Sequence, residues 1–598
     1  MEANLMSRKT PDEIDREIAR MDSEQLPAGK HELHGAGHFA GLYAAENVAG
    51  TEFVFGATFV ILGAGIWDVL IGLAVGNLLA VLSYRILTAP IATRTRLSVY
   101  TFLDRVAGGM TSKIYNGLNA VVFAIISAAM ITVSATALRL ILDFPAQTEA
   151  YPTSVGFIVL AIVFGVVAVL VAAFGFNALA EFASICGPWL MVMFAAGGIV
   201  LIPRVADEAL GTTVMSGWSD FIAIGGDTVF TGKTPDGADG IGLLGVIGYA
   251  WAANTFAHAG LIDMSLFRYA KKSWYGYMSA TGMFLGHYMA WISAGFMGAA
   301  TAAITMKSIT VLEPGQVALQ ALGYAGFVVV VVGGWTTANA NLYRAGLAGQ
   351  GVFPQFSRAK VTLIVGGVVV VAAVFPFIYR GYLNLVTYAG IALVPIGGIL
   401  FAEYWLLPRL GMTRYWARYK GVQNVAALLA WGIPLAAAAV VLVMGLVPVY
   451  FLFPPAWALS VVLYVVLAKL MGAAEPYPDG KAADELFAER VEVFHAQQAR
   501  EEPSEVDTRD RRTLTRVLRV VWMIVLVVIF ADALIVLFSS PDLATFEAHR
   551  DRFFLIAAVG TVLYFLAAYW ELRRRKAHAR QALAVHDGPS SARSPRLP

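Results

Sequence analysis

The sequence has 598 residues, of which 58% are hydrophobic and 14% are charged, and its formal net charge is +2. Soluble domains carry about a quarter of charged residues, so this composition is typical of a membrane protein rather than a soluble one. The small net charge gives no indication of a nucleic-acid partner. The single cysteine, Cys186, excludes disulfides within the chain and any metal site with several cysteines, and we expect it to be a small buried hydrophobe.

Apolar runs long enough to cross a membrane recur along the chain. Residues 1–30 are polar and lack the apolar core of a cleavable signal peptide, so the first span is expected to direct insertion. A bilayer core of about 30 Å needs roughly 20 mostly apolar residues per helix. We predict fourteen spans, near His38–Leu62, Gly65–Pro90, Ile114–Leu142, Val155–Ala173, Phe182–Pro203, Ile241–Ile262, Tyr275–Ala303, Val317–Ala345, Val361–Phe377, Leu383–Leu407, Ala426–Val447, Val449–Leu470, Leu518–Phe538 and Phe554–Trp570.

These spans divide the chain into eight regions. They are a cytoplasmic N-terminal segment (1–37), a first repeat of five spans (38–203), an extracellular connector (204–240), a second repeat (241–408), spans eleven and twelve (409–472), a charged cytoplasmic linker (473–513), two added spans (514–572) and a basic disordered tail (573–598). The linker has the helical periodicity of an amphipathic helix lying against the bundle or the membrane, or of a partner-binding helix. We assign the two added spans to packing or homo-oligomer contacts.

The distribution of Lys and Arg predicts the orientation, because basic residues favour the cytoplasmic side. With a cytoplasmic N-terminus, the even-numbered connections should be basic, which indicates a multi-pass protein of the plasma (inner) membrane with both termini inside. The residues counted for this are Arg94, Arg96, Arg105, Lys113, Arg268, Lys271, Lys272, Arg344, Arg358, Lys360, Arg409, Arg414, Arg418, Lys420 and Arg573–Lys576.

Polar residues interrupt two of the predicted spans. The interruptions are Glu46, Asn47, Gly50 and Glu52 in the first span, and Asn254, Thr255, His258 and Gly260 in the sixth. Glycine permits the backbone to leave helical geometry, and polar groups at membrane depth are costly unless they face partners, a cavity or a substrate. Glycine-interrupted segments in corresponding positions of two halves indicate a transporter site, whereas single Asn, Thr or His side chains can also serve as contacts between helices.

A third polar group lies in the eighth span, in GGWTTANANLYRAG. Thr336 and Thr337 place two hydroxyl oxygens side by side, and Asn339 and Asn341 follow them. Hard cations are held by several oxygens, so these hydroxyls and the carbonyls freed by a broken first helix are candidate Na+ ligands. The alternative is that the hydroxyls bond back to helix carbonyls.

At these residues the chain resembles the nucleobase:cation symporter-1 family, and within it the cytosine-permease branch. Over about the first ten to twelve spans, five stretches carry the resemblance in the right order: VGNLLAVL (Val75–Leu82), FGFNALAEFASICGP (Phe174–Pro188), DMSLFRYAKK (Asp263–Lys272), WTTANANLYRAGL (Trp335–Leu347) and VTYAGIALVPIGGILFAEYWL (Val386–Leu406).

The resemblance implies an all-α, five-plus-five inverted-repeat bundle of leucine-transporter type that works by alternating access, with helices 1 and 6 broken. It implies that the carbonyls of Glu46 and Ala49 and the hydroxyls of Thr336 and Thr337 hold a Na+ ion. The implied and candidate substrate contacts are Asn47, Gly50, Phe123, Ser127, Asn254, Thr255, Phe256, His258, Asn339 and Asn341. No organic cofactor is implied.

Two features depart from the family pattern. The third helix, NAVVFAIISAAM over Asn119–Met130, lacks the Trp and Gln with which relatives stack on and hydrogen-bond a planar ring. Glu46 is the second, because a carboxylate at this position can bind Na+ or carry a proton in its place. His258 is another candidate proton carrier, since its unperturbed pKa is about 6.5. Both Na+ and H+ coupling therefore remain open.

The function expected from these observations is cation-coupled import of a small nitrogenous heterocycle such as a nucleobase, hydantoin, allantoin or vitamin-precursor pyrimidine. The alternatives are a non-transporting membrane sensor on the same fold and, less suited to an occluded pocket, a channel. The sequence contains no Walker loop, metal-spaced His cluster or nucleophile elbow, so we do not expect an enzyme.

Overall fold

The chain is a multi-pass membrane protein built from helices. The computed structural model describes residues 10–21, 25–174, 176–501 and 510–586, and ten helices within these ranges are long and apolar enough to cross a membrane. Shorter helical pieces complete the remaining crossings where the chain is broken. Exposed apolar side chains such as Val527 and Leu566 (66% and 63% exposed) point away from the bundle, as lipid contact requires.

The first part of the chain forms a series of helices over the described residues. They are α1 (Pro11–Ile18), α2 (Ala36–Glu46), α3 (Glu52–Ile61), α4 (Ile66–Ser83), α5 (Val99–Ile141), α6 (Val155–Phe174), α7 (Phe176–Val200), α8 (Ile202–Leu210) and α9 (Trp218–Ile224). A π-helical turn, Tyr84–Thr88, links α4 to a further helical piece, Ala89–Thr95. The first predicted span is thus split between α2 and α3, as the polar interruption around Gly50 predicted.

The second part repeats this plan. Its helices are α10 (Leu243–Ala252), α11 (Thr255–His258), α12 (Met264–Phe267), α13 (Ala290–Thr305), α14 (Pro314–Leu322), α15 (Tyr324–Val352), α16 (Arg358–Ala372) and α17 (Tyr382–Phe401). A 3-10 segment, Ser273–Ser279, and a π segment, Thr281–Met289, precede α13. The sixth predicted span is broken between α10 and α11 and again after α11, which confirms the second interruption.

In the described residues, the C-terminal part adds five longer helices. They are α18 (Val425–Val443), α19 (Phe453–Ala468), α20 (Pro478–Glu501), α21 (Thr513–Phe538) and α22 (Leu543–His586). The charged linker is therefore helical over α20. Of the predicted disordered tail, 573–598, residues 573–586 are helical as the end of α22, and residues 587–598 lie outside the described residues.

Two predicted span boundaries were wrong. The eighth span does not begin at Val317, because that residue belongs to α14, which Gly323 separates from α15 with a φ of 58°. The third span extends back to Val99, with a non-helical Gly108 (φ 78°) dividing an amphipathic start from the membrane helix. In both cases a glycine adopts a left-handed backbone conformation that other residues rarely take.

Close helix packing at the centre of the bundle depends on small residues. Helices α5 and α15 form the most extensive helix pair in the described structure. A Cβ atom at Gly334 of α15 would lie 2.1 Å from Ser134 Oγ and 2.8 Å from the Met130 carbonyl oxygen of α5. Only glycine allows this approach, as is common where helices meet in membranes. The predicted burial of Cys186 is confirmed, with 1% of the residue exposed.

The two added C-terminal helices pack on α7. Trp189 Nε1 donates to Thr561 Oγ1 at 3.1 Å, and Tyr564 Oη donates to the Ile185 carbonyl oxygen at 2.6 Å. Lys576 forms an ion pair with Glu181 at the end of this contact. The pair α21–α22 is thereby an integral part of the bundle.

The N-terminal segment, defined here as residues 10–34 without the undescribed 22–24, packs against α20. Ile14 and Ile18 form a small apolar cluster with Phe487 and Val491 of α20. Arg490 Nε donates to Asp15 Oδ1 at 2.7 Å. This hydrogen bond holds the pKa of Asp15 below its usual value, so the contact is intact at neutral pH and weakens only as the pH falls through that lowered pKa.

A buried ion pair at the C-terminal end of α5 generates the first prediction. Arg139 Nε donates to Glu313 Oε2 at 2.7 Å, and the Gln147 amide donates to Glu313 Oε1 at 2.9 Å. Glu313→Gln should destabilise the protein by about 3–5 kcal/mol, because it leaves the buried Arg139 guanidinium without its counter-charge. Thermal unfolding followed by size-exclusion chromatography of the detergent-solubilised protein measures this.

The matched control removes a carboxylate from an exposed pair. Lys233 Nζ lies 2.5 Å from Asp239 Oδ1, and the Asp239 side chain is 91% exposed. Asp239→Asn should leave the unfolding temperature nearly unchanged, because solvent screens such pairs. Equal losses of stability in the two variants would contradict the structural role given to Glu313.

Candidate functional site

Two adjoining cavities lie where the broken helices meet. The smaller has a volume of about 80 Å³ and is lined by both halves of the first break, α2 and α3, and by α11. The larger, about 1790 Å³, extends from there to the N-terminal segment, and we call it the vestibule. Six residues line both cavities: Glu46, Ile262, Asp263, Thr337, Asn341 and Arg344. These six define the junction between the pocket and the vestibule.

Three charged side chains lie at this junction. Glu46 Oε1 of α2 is 2.5 Å from Arg344 Nη1 of α15, and each side chain is about a quarter exposed (28% and 24%). Tyr43 Oη donates to Asp263 Oδ2 at 2.6 Å. The guanidinium of Arg344 lies 5.7 Å from the centroid of the Phe123 ring, which is fully buried beneath it. The Glu46–Arg344 pair therefore joins the first broken segment to α15, and the Tyr43–Asp263 hydrogen bond joins the first broken segment to the second.

A chain of polar side chains crosses the small cavity. Asn254 Nδ2 lies 3.3 Å from Asn47 Oδ1 and 3.4 Å from His287 Nε2. The His287 ring stacks on Trp291 with centroids 4.4 Å apart and an interplanar angle of 14°. Trp291 Nε1 in turn donates to the buried carboxylate of Glu52. Amide, imidazole and carboxylate groups from both breaks and from the seventh crossing thus converge on one small space.

The structure brings about half of the predicted site residues to this space. Those that line the small cavity are Glu46, Asn47, Ala49, Asn254, Phe256, Thr337 and Asn341. Thr336 lines the vestibule. These residues come from three separate stretches of sequence, and the two breaks bring them together.

Two predicted substrate contacts of the sixth helix do not line either cavity. His258 is fully buried, its Nε2 lies 3.2 Å from the Trp251 carbonyl oxygen, and its ring meets the edge of Tyr84. Thr255 is fully buried and donates its hydroxyl to the Ala252 carbonyl oxygen at 2.9 Å. Both side chains bond carbonyls at the end of α10, so they stabilise the break itself.

Three further predicted contacts lie between helices. Gly50 packs against α15, where an added Cβ would lie 3.1 Å from both the Gly334 nitrogen and the Val330 oxygen. Ser127 donates to the Ala338 carbonyl oxygen at 3.2 Å, and Asn339 Nδ2 donates to the Trp335 carbonyl oxygen at 2.9 Å. With Phe123, these residues are part of the framework around the pocket.

The candidate ion ligands lie on facing segments. A Cβ at Gly333 would lie 2.9 Å from the Gly50 nitrogen, so the first break touches α15 one turn before Thr336. Thr336 donates to the Val332 carbonyl oxygen at 2.9 Å, which leaves its lone pairs available. Thr337 borders both cavities. The Glu46 carboxylate, by contrast, is engaged by Arg344.

Sequence reasoning missed three residues of the site. Arg344 was counted as a basic connection residue, but it lies inside α15 and faces the pocket. Its spacing from Thr337 and Asn341 (i, i+4, i+7) is that of one helical face, and this is the signal that could have identified it. Asp263 and His287 carried no comparable periodicity, because Asp263 directly precedes the four-residue α12 and His287 lies within the π segment Thr281–Met289.

Solved structures of transporters share this fold. Mhp1, a nucleobase-cation-symport-1 family transporter solved in a closed conformation with bromovinylhydantoin bound, covers 78% of this chain and 99% of its own, with a TM-score of 0.56 and 16% identity. Mhp1 in its inward-facing conformation covers 80% of this chain and 97% of its own, with a TM-score of 0.57 and 18% identity. A Na+-coupled sialic acid symporter in a substrate-bound outward-open state covers 79% and 96%, with a TM-score of 0.50 and 14% identity.

At this level of identity the likeness establishes the fold. The chain is a multi-pass membrane protein with the leucine-transporter type of fold, which confirms the fold class predicted from the interrupted spans. No protein-family model and no curated protein sequence matches it.

The cavity assignment is tested by chemical accessibility. With Cys186 replaced (Cys186→Ala), a cysteine at Thr337 should react rapidly with a small maleimide, because Thr337 borders both cavities. Thr132→Cys is the matched control, since Thr132 is fully buried and bonded to the Ala128 and Ala373 carbonyls. Labelling rates measured by mass spectrometry decide the matter, and equal rates at the two positions would refute the cavity assignment.

Proposed function

We propose that the chain is a secondary active transporter that imports a small nitrogenous heterocycle by cation symport. The observation that carries this proposal is the small pocket between two broken helices, which adjoins a wide vestibule on one side. Such a pocket at the meeting point of two repeats is where transporters of this architecture hold substrate and ion. The fold shared with Mhp1 and with a Na+-coupled sialic acid symporter agrees with it.

The lining of the pocket supports the substrate class. Three amide side chains, Asn47, Asn254 and Asn341, offer donors and acceptors that match ring N–H and C=O groups. Phe256 and the stacked His287 supply flat surfaces against which a planar ring can lie. A nucleobase, hydantoin, allantoin or vitamin-precursor pyrimidine fits this combination, and the hydantoin derivative bound to Mhp1 belongs to the same class.

The junction residues suggest how the pocket is gated. The Glu46–Arg344 ion pair stands between the pocket and the vestibule, so it must part or swing aside when substrate moves between them. With both termini cytoplasmic, as the basic connections predict, the vestibule opens to the cytoplasm and the pair is the inner gate. We assign Glu46 to this gate rather than to proton transport.

The oxygens near the first break support Na+ as the coupling ion. The Glu46 carboxylate is engaged by Arg344. The backbone carbonyl oxygens of Glu46 and Ala49 and the hydroxyls of Thr336 and Thr337 are the ligands we assign to the ion. Neutral oxygens of this kind suit a hard cation, whereas they cannot carry a proton at neutral pH.

Transport in proteoliposomes tests the proposed function. A labelled panel of nucleobases, hydantoins and pyrimidines should include a compound that accumulates under an inward Na+ gradient at constant pH. Accumulation driven only by a pH gradient would overturn the Na+ assignment. Uptake indifferent to both gradients would refute symport, and binding without any uptake would favour the sensor.

Substitutions in the pocket test the site. Asn254→Ala should weaken substrate binding about three- to tenfold, the equivalent of one lost hydrogen bond of about 1 kcal/mol. His258→Ala should lower thermal stability while leaving the affinity near that of the original chain, because His258 bonds a backbone carbonyl outside the pocket. Scintillation-proximity binding measures the two affinities, and thermal unfolding measures the stability. A loss of affinity in His258→Ala but not in Asn254→Ala would return the substrate site to His258.

A further inference from the structure

Two histidines and a glutamate meet where the N-terminal segment touches α20. His31 and Glu32 belong to a short 3-10 turn, Lys30–Glu32, and His495 lies on α20. One ligand atom from each side chain lies within 4.8 Å of the others. Glu32 and His495 are partly buried. This cluster joins residues separated by more than 460 positions in sequence and is unrelated to the membrane pocket.

The donor atoms of the cluster surround Gly29. A Cβ built on Gly29 would lie 2.8 Å from His31 Nδ1 and 3.0 Å from His495 Nδ1. The Gly29 amide donates to Glu32 Oε2 at 2.6 Å. The two imidazole nitrogens and the carboxylate therefore face a common space that the absence of a side chain at Gly29 leaves open.

The second nitrogen of His495 fixes which atom is available. His495 Nε2 lies 2.8 Å from the Pro27 carbonyl oxygen, and a carbonyl can only accept, so Nε2 carries the proton. Nδ1 then has a free lone pair, and it is buried with no hydrogen-bond partner in the described structure. A ring held by a backbone carbonyl through one nitrogen, with the other nitrogen free, is the usual arrangement of a metal-binding histidine.

We propose that His31, Glu32 and His495 bind a divalent transition metal such as Zn2+ and so clamp the N-terminal segment to α20. Two imidazoles and one carboxylate form a common Zn2+ ligand set, with water in the fourth position. Zn–ligand bonds of about 2.0–2.1 Å in a tetrahedral site place the donor atoms roughly 3.3 Å apart. Small side-chain rotations would bring the three donor atoms from their present separation to this distance. The clamp would fix one wall of the vestibule, which Arg20 of the segment and Phe487 of α20 both line.

Zn2+ binding to the tag-free, metal-stripped full chain tests this proposal. Competition with a chelating indicator should reveal one site per chain that is absent from the His31→Ala/His495→Ala double variant. Glu32→Gln should weaken Zn2+ binding at this site at least about tenfold, since losing even a group that only hydrogen-bonds a metal ligand has an effect of that size. His578→Ala, on α22, should retain it.

A glycine pair separates metal binding from damage to the fold. Gly29→Ala should abolish the site without removing a ligand, because its methyl group would occupy the space between the imidazoles. Gly35→Ala is the control, since a Cβ there meets nothing within 4 Å and both glycines have extended backbones. Unfolding temperatures of the metal-free variants should equal that of the metal-free original chain.

A second readout follows the clamp directly. Zn2+ should slow proteolytic release of the N-terminal segment from the original chain and from Gly35→Ala, and should have no effect on Gly29→Ala. Zn2+ binding and protection that are equal in Gly29→Ala, in the double variant and in the original chain would overturn the proposal. The result does not depend on the proposed transport function, because neither readout involves substrate.

Discussion

The site depends on one constraint: backbone groups that leave helical geometry at membrane depth must be bonded within the protein. The break between α10 and α11 exposes carbonyls that two nearby side chains satisfy, Thr255 at Ala252 and His258 at Trp251. A third hydroxyl, Thr88, donates to the His258 carbonyl oxygen at 2.6 Å. Because neighbouring side chains take up these groups, the chain can stay unwound where the pocket needs it.

The first break is held in a complementary way. Asn47 Nδ2 donates to the Tyr43 carbonyl oxygen at 2.9 Å, while its Oδ1 faces Asn254 of the other break. The π segment of the seventh crossing comes so close that a Cβ at Gly286 would lie 2.2 Å from the Asn47 carbonyl oxygen. Asn47 therefore stabilises its own break and lines the pocket, so the framework and the site share this residue.

The sequence predicts the fold better than the site, for a physical reason. Apolar length and interrupted spans are local properties, so the helical membrane fold and both breaks could be predicted, although two span boundaries were wrong. The face of a broken helix that meets the cavity cannot be predicted from the local sequence, because each break changes the rotation of the following helix about its axis. His258 and Asn254 looked equivalent in the sequence, yet one bonds the backbone and the other faces the pocket. Arg344 was misplaced because a charge near the end of a long helix resembles a connection residue.

The proposed gating role explains why charged side chains are found at the junction, where they are costly to bury. Removing a carboxylate and a guanidinium from water costs several kcal/mol per ion, and pairing often only offsets that cost. The Glu46–Arg344 pair is therefore not expected to add much to the stability of the fold. A pair whose partners can separate at little cost is suited to a gate. Among the six residues shared by the two cavities, Asp263 adds a second carboxylate that Arg344 cannot neutralise in addition to Glu46. In the proposed cycle, this formal excess of carboxylates over guanidinium groups favours the arrival of a cation, and that arrival weakens the hold of Glu46 on Arg344. In the proposed cycle, ion binding and opening of the gate are coupled through this one guanidinium.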